Sequence, residues 1–292
     1  MATVDTSSQK KISFLATTDT ECPICKTNHR KEELFSGGGR LVAGKLTPEL
    51  RRTYLENKKF GVIYPLAYAA QVCPACLYAA YPKDFIRLNA DEIQNLKGAT
   101  EHRRKLVETL FNKVDFKENR TLVHGAASMV LAVDCYHLRV PNIAPTPKKA
   151  VSAMRAAWLF DDLFALANYR PYDKARDFYY MEAVKSYAKA LELSQTGKEP
   201  MEQESYILGP DLDHNWGFDG IIYLNAYLTR KYYKQLSTDK NEQYKILEAT
   251  KRYLGRLYGM GRASKNKPSI LVDMSKDLYD QIGAIMSELA PQ

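Results

Sequence analysis

The chain is short of the features that mark several large protein classes. Five cysteines in 292 residues are too few for a disulfide scaffold. No apolar run approaches the ~18 residues needed to span a bilayer. The first twenty residues, MATVDTSSQKKISFLATTDT, hold neither a long apolar core nor a small-residue cleavage site, so a cytoplasmic protein is expected. The glycine-rich SGGGR at 36–40 lacks the lysine and Ser/Thr of a phosphate loop and reads as a turn. DLDHNWGFDG, from Asp211, has Trp216 where a calcium loop requires glycine and Ile222 where it requires glutamate, so an Asp or Asn there is expected to cap a helix instead. No nucleophile stands with a base, and Asp161 and Asp162 are helix neighbours that point in different directions. An enzyme is not expected.

What is present is enough for a large core, with 45% hydrophobic residues and twenty tyrosines. The net charge of +8 is uneven: 20 basic against 14 acidic residues lie in 1–120, and 22 against 20 in the remainder. The basic excess favours acidic partners without choosing among nucleic acid, anionic membrane surface and acidic protein.

Four of the five cysteines form two matched turns, Cys22 and Cys25 in ECPICK and Cys73 and Cys76 in VCPACL. A tetrahedral zinc ion needs four soft donors, and each CxxC turn places two thiolates on one side of it. A single CxxC pair could be a redox dithiol, but a redox fold gains nothing from a second matched pair. The pattern therefore points to a structural zinc ion held by Cys22, Cys25, Cys73 and Cys76, with Lys26, Arg30 and Lys31 available to offset the charge. A full four-cysteine shell leaves no position for an activated water. His29 is expected at the surface and Cys135 as a small buried hydrophobe.

Three regions follow along the chain. Residues 1–83 read as a β-containing, zinc-ribbon-like module, with KISFLA, GGGRLVAG and GVIYPLAYAAQV as its β-like runs. Residues 84–120 read as a linker of two short helices broken around Gly98, and 121–292 as a helical domain. Helices are expected near 121–138, 148–167, 173–195, 217–236, 240–260 and 268–288, stacked as antiparallel pairs, so the fold class is mainly α. Ala183, Tyr187, Ala190 and Leu191 fit the second helix of a tetratricopeptide (TPR) repeat. Ala249 and Tyr253 recur 66 residues later, with Arg256 at the second small position.

CPIC, then RRTYLENKKFGVIYPLAYAAQVCPACLYAAYPKDF, then VLAVDCYHLR, MRAAWLFDDL and IIYLNAYLTRKY resemble the bacterial proteins grouped as domain of unknown function 2225 from about residue 20 onward. The resemblance implies a zinc-ribbon-like module followed by TPR-like helices, with no established enzymatic activity. Family members usually carry glycine where Leu77 stands, a departure that bears on the turn and not on the ligands. KKFGVIYPLAY is closer to spirochaete members, through which the resemblance implies a cytoplasmic-side assembly such as the flagellar motor collar. The leading expectation is a non-enzymatic adaptor that binds protein through its helical repeats, with Asn225, Tyr227 and Arg230 as candidate contacts. The alternative is a nucleic-acid-binding zinc-ribbon protein, since zinc ribbons and a basic N-terminal part occur together in such proteins, although no basic run extends beyond NHRK and HRRK.

Overall fold

The computed structural model describes residues 12–35, 37–201, 203–204, 209–261 and 269–290. It is mainly α, with small antiparallel strand pairs followed by helices. The chain forms two compact units. Unit 1 holds 1–47, 52–139 and 158–174; unit 2 holds 48–51, 140–157 and 175–292.

Unit 1 is built from two-stranded ribbons. β1 (Ser13–Leu15) pairs with β4 (Glu32–Leu34), β2 (Thr20–Glu21) with β3 (Asn28–His29), β5 (Ala43–Leu46) with β6 (Arg52–Tyr54), and β7 (Gln71–Val72) with β8 (Ala79–Ala80). Ribbons this short are marginal in water, and these are held from outside. Much of the apolar run GVIYPLAYAAQV is not a strand. Pro65 starts a buried 3₁₀ turn, Pro65–Tyr68, because a fixed φ and a missing N–H suit the first turn of a helix better than a ladder. That turn packs on α3 (Leu122–His137), where Gly125 faces it: a Cβ there would come within 2.9 Å of Ala67 Cα. Glu32 of β4 ties the ribbons to the entry of α3, accepting from the Arg120 backbone N–H at 2.9 Å and from the Ser13 hydroxyl.

Residues 84–120, which lie inside unit 1, carry α1 (Ala90–Gly98) and α2 (Thr100–Phe111), meeting beyond Gly98. Asn89 opens α1 with a capping box, its side chain accepting from Glu92 N–H while Glu92 accepts from Asn89 N–H, both at 2.8 Å. The other carboxylate oxygen of Glu92 receives Arg139 Nε at 2.7 Å in a buried ion pair. Leu96 and Phe111 in this stretch are buried, whereas Ile86 is 68% exposed. Polar Glu92 and Arg103 are buried in its place.

α4 (Pro145–Ala167) begins a little before the expected 148, since prolines at 145 and 147 sit in its first turn, where no N–H is missed. α5 (Arg170–Gln195), α6 (Gly217–Leu236), α7 (Lys240–Gly261) and α8 (Ser269–Leu289) follow. Trp216, not an Asp or Asn, occupies the N-cap of α6 without a side-chain bond; Asn215 Oδ1 accepts from Gly217 N–H at 3.0 Å instead. In unit 2, α6, α7 and α8 pack on one another. Their seams are Ile221, Leu224 and Leu228, then Leu247 and Leu254, then Leu271, Leu278 and Ile282, all buried at helical spacing. Burying each such side chain stabilises the fold by about 1.5–3 kcal/mol. The Pro48–Arg51 segment between β5 and β6 also belongs to unit 2. Leu50 there is fully buried, Glu49 accepts from Tyr180 Oη and Lys231 Nζ at 2.8 Å each, and Tyr223 Oη donates to Pro48 O at 2.8 Å.

Candidate metal centre

The two CPxC turns have one design. In the first, β2 leads into Cys22-Pro-Ile-Cys25 and β3 leaves after Thr27; Cys22 N–H donates to Thr27 O at 3.0 Å and Lys26 N–H to Cys22 O at 2.9 Å. In the second, β7 leads into Cys73-Pro-Ala-Cys76 and β8 leaves after Tyr78; Cys73 N–H donates to Tyr78 O at 2.9 Å and Leu77 N–H to Cys73 O at 3.0 Å. The residue after each second cysteine must turn left-handed to close the ribbon. Lys26 has φ 63° and Leu77 φ 58°, so Leu77 adopts a conformation that glycine would take without strain.

The turns meet sulfur to sulfur. Cys22 Sγ lies 3.6 Å from Cys76 Sγ, Cys25 Sγ lies 3.5 Å from Cys73 Sγ, and all four ligand atoms fall within 4.8 Å of one another. Sulfurs at the ~2.3 Å zinc–thiolate distance in a tetrahedron stand about 3.8 Å apart, close to this spacing. All four are free thiols; Cys22, Cys73 and Cys76 are buried and Cys25 is half-buried. Four thiols at this distance cannot ionise independently. Hydrogen bonds from Cys22 and Cys76 hold the Cys73 thiol far below its ordinary value. Donation to Cys22 and Cys73 pushes the Cys76 thiol up, while the bond to Cys73, together with burial, pushes Cys22 up to about 12 against the opposing pull of its bond with Cys76. A cluster of this kind fits a soft dication that takes the place of the shared protons.

The second turn is braced from α2 and α3. Arg103, fully buried, donates from Nε at 3.2 Å and Nη2 at 3.1 Å to Cys76 O, and Arg104 donates to Ala75 O at 3.1 Å. β8 docks on α3, with Ala79 N–H donating to Cys135 Sγ at 3.4 Å and Tyr81 N–H to Tyr136 Oη at 3.0 Å. Cys135 lies outside the cluster, and burial pushes its thiol up to about 12. At the first turn, Thr27 Oγ1 lies 3.3 Å from Cys25 Sγ.

Other expected roles are distributed differently. Lys26, Arg30 and Lys31 pair with Glu21, Asp19 and Glu33 at 3.2, 2.9 and 3.3 Å, and it is Arg103 that stands buried against a ligand's carbonyl. His29 is half-buried rather than superficial: its ring meets Phe85 edge-on at 5.5 Å and its Nε2 lies 3.3 Å from Gln71 Nε2. It is not in the sulfur cluster. On α6, Asn225 is buried, while Tyr227 and Arg230 are half-buried. Arg103 was hidden in the sequence as one letter of the basic run HRRK.

A bacterial family described as an uncharacterized protein conserved in bacteria, DUF2225, matches residues 15–282, a span that contains both turns. The chain belongs to that family. An uncharacterized protein of Borreliella burgdorferi is 39% identical over 284 residues, which is 96% of this chain and 99% of that protein. No solved structure matches this DUF2225 chain. Among the described residues, none of its helices is long and apolar enough to cross a membrane.

Proposed function

We propose that this DUF2225 protein is a non-enzymatic adaptor: a structural zinc ion bound by Cys22, Cys25, Cys73 and Cys76 holds its N-terminal ribbons, and TPR-like helices present a binding surface to a partner protein. The observation that carries the zinc reading is the closed sulfur cluster, four Sγ atoms within 4.8 Å with no histidine or carboxylate among them. Such a shell supplies folding energy and leaves no open position for a substrate or an activated water. The adaptor reading draws on α5, where Ala183, Tyr187, Ala190 and Leu191 are all buried at the repeat spacing. Binding of partners across stacked helix pairs is what such packing serves elsewhere.

The two short basic runs are engaged within the fold. In HRRK, His102 faces Asp134 at 3.1 Å, Arg103 is buried and Arg104 reaches Ala75 O; in NHRK, Arg30 pairs with Asp19 and Lys31 with Glu33. These engagements favour a protein partner, and an assembly such as the flagellar motor collar remains the one the sequence resemblance implies.

Metal analysis of protein purified without chelator tests the zinc site: about one zinc per chain is expected, unchanged in Cys135→Ala and lost in Cys73→Ser. Substoichiometric zinc with four reactive thiols would overturn it. Crosslinking and co-purification of the full chain from its native cell tests the adaptor reading, which fails if no protein is recovered at stoichiometric level.

A further inference from the structure

The repeat pattern of α5 returns on α7 with its face open. Ala183, Tyr187 and Ala190 are each 0% exposed, whereas 66 residues later Ala249 and Tyr253 are half-buried and Arg256 is exposed. Over that face lies a cleft of about 320 Å³ within unit 2. Leu191 of α5, Phe218 and Ile222 of α6, and Tyr253 and Leu257 of α7 give it an apolar lining. A volume of this size is at the lower end of the ~300–1,000 Å³ typical of ligand clefts. A depression of about 240 Å³ shares Tyr253 and Arg256 with it and adds Arg252. A third, of about 410 Å³, shares both arginines and adds Lys251 and Tyr279.

Basic side chains outnumber acidic ones around these hollows, Arg252, Arg256 and Lys251 against Asp219 and Glu248. Arg252 and Arg256 are exposed and one turn apart on α7, and neither forms an ion pair among the described residues, Glu248 one turn earlier included. Two like charges at this spacing repel by a few tenths of a kcal/mol and stabilise nothing within the helix. Lys251 Nζ stands 4.4 Å from the Tyr279 ring centroid, adding a third cation beside the hollows. A nucleic-acid strand needs a longer basic track than this, and the cleft lining also carries Asp219. An apolar hollow beside a forked pair of guanidiniums suits a carboxylate-bearing peptide.

We propose that this cleft binds an acidic segment of a partner protein, with one large apolar side chain seated between α5, α6 and α7 and flanking carboxylates paired to Arg252 and Arg256. The proposal deepens the adaptor reading and rests on it. It is tested by selecting phage-displayed random dodecapeptides on the full chain, then measuring the selected peptides by fluorescence anisotropy over a salt series. The expected consensus is an aromatic or aliphatic residue flanked by Asp or Glu. Binding should weaken at least tenfold in the double variant Arg252→Glu, Arg256→Glu, and similarly in Ser194→Trp, which fills the cleft without changing its charge. Circular dichroism of each variant should match the parent, and Lys240→Glu, at the other end of α7, should bind normally. A consensus without acidic residues, or binding unchanged in both cleft variants, overturns the cleft while leaving the adaptor reading standing. Selection of no peptide also overturns it. The adaptor reading itself falls only if co-purification recovers no partner.

Discussion

Arg103 braces the sulfur cluster through the carbonyl of Cys76. A fully buried guanidinium is costly to desolvate unless negative charge lies close by, and the described residues give it no carboxylate: its hydrogen bonds go to Cys76 O and to Thr100 Oγ1. Its Nη1 is buried without a hydrogen-bond partner. A four-thiolate zinc centre, formally minus two, is the counter-charge the proposed function supplies. Arg103→Met should therefore raise the zinc dissociation constant about 10–100-fold, the range for loss of a supporting contact around metal ligands. Competition with a chromophoric chelator measures it. Arg103→Lys should recover part of the affinity, since it keeps the charge and loses the fork. Equal zinc affinity in all three proteins would show that Arg103 only packs.

Elements show what could be read in advance and what could not. The sulfur cluster was legible because CxxC spacing is a local property, and the six long helices were legible because apolar residues recur at three and four, from Leu131 on α3 to Ile282 on α8. The strands were less so. Ribbons of two to four residues carry too few alternations to show a period, and their pairing depends on turns such as the left-handed Lys26. Arg103 was invisible for a different reason: an arginine bonded to a carbonyl 27 residues away in sequence has the same letter as one in water. At Lys26 the strain itself is testable. Its side chain is exposed and, among the described residues, pairs with exposed Glu21, an interaction worth little. Relieving a left-handed non-glycine residue is worth ~1–2 kcal/mol, less the entropy that glycine adds to the unfolded chain. Lys26→Gly should thus stabilise the zinc-bound protein by up to about 1 kcal/mol, and Lys26→Val should destabilise it, since a β-branched residue fits this φ worst. Chemical denaturation with zinc present gives both values, and an unchanged midpoint in Lys26→Val would mean the turn is not held left-handed.

If the proposed zinc ion is bound, its loss should travel only part of the way through the molecule. In unit 1 both ribbons at the centre are short, and their ends are joined by the sulfurs, by Arg103 and Arg104 from α2, and by the bonds from β8 to Cys135 and Tyr136 of α3. Strand pairs of two residues cannot stand alone, so the turns should open once the metal is gone. α3 has its own support in a buried face running from Leu122 through Tyr136 and a capping box at Thr121, where the His124 ring also donates from Nε2 to Asp115 O at 3.0 Å. In unit 2, α6, α7 and α8 bury Leu224, Leu254 and Leu278 against one another, and that seam contains no cysteine. Stabilities of this kind are local, and opening follows cooperative segments of the chain rather than its full length. Chelation should therefore remove hydrogen-exchange protection at 22–28 and 73–80 and weaken it in the first turns of α2, while α6 to α8 keep theirs. Far-ultraviolet circular dichroism should retain most of its helical signal. If α6 to α8 lost protection together with the two turns, the metal would be stabilising both units as one cooperative body, and the ribbons could not be described as a metal-held part of an otherwise self-supporting chain.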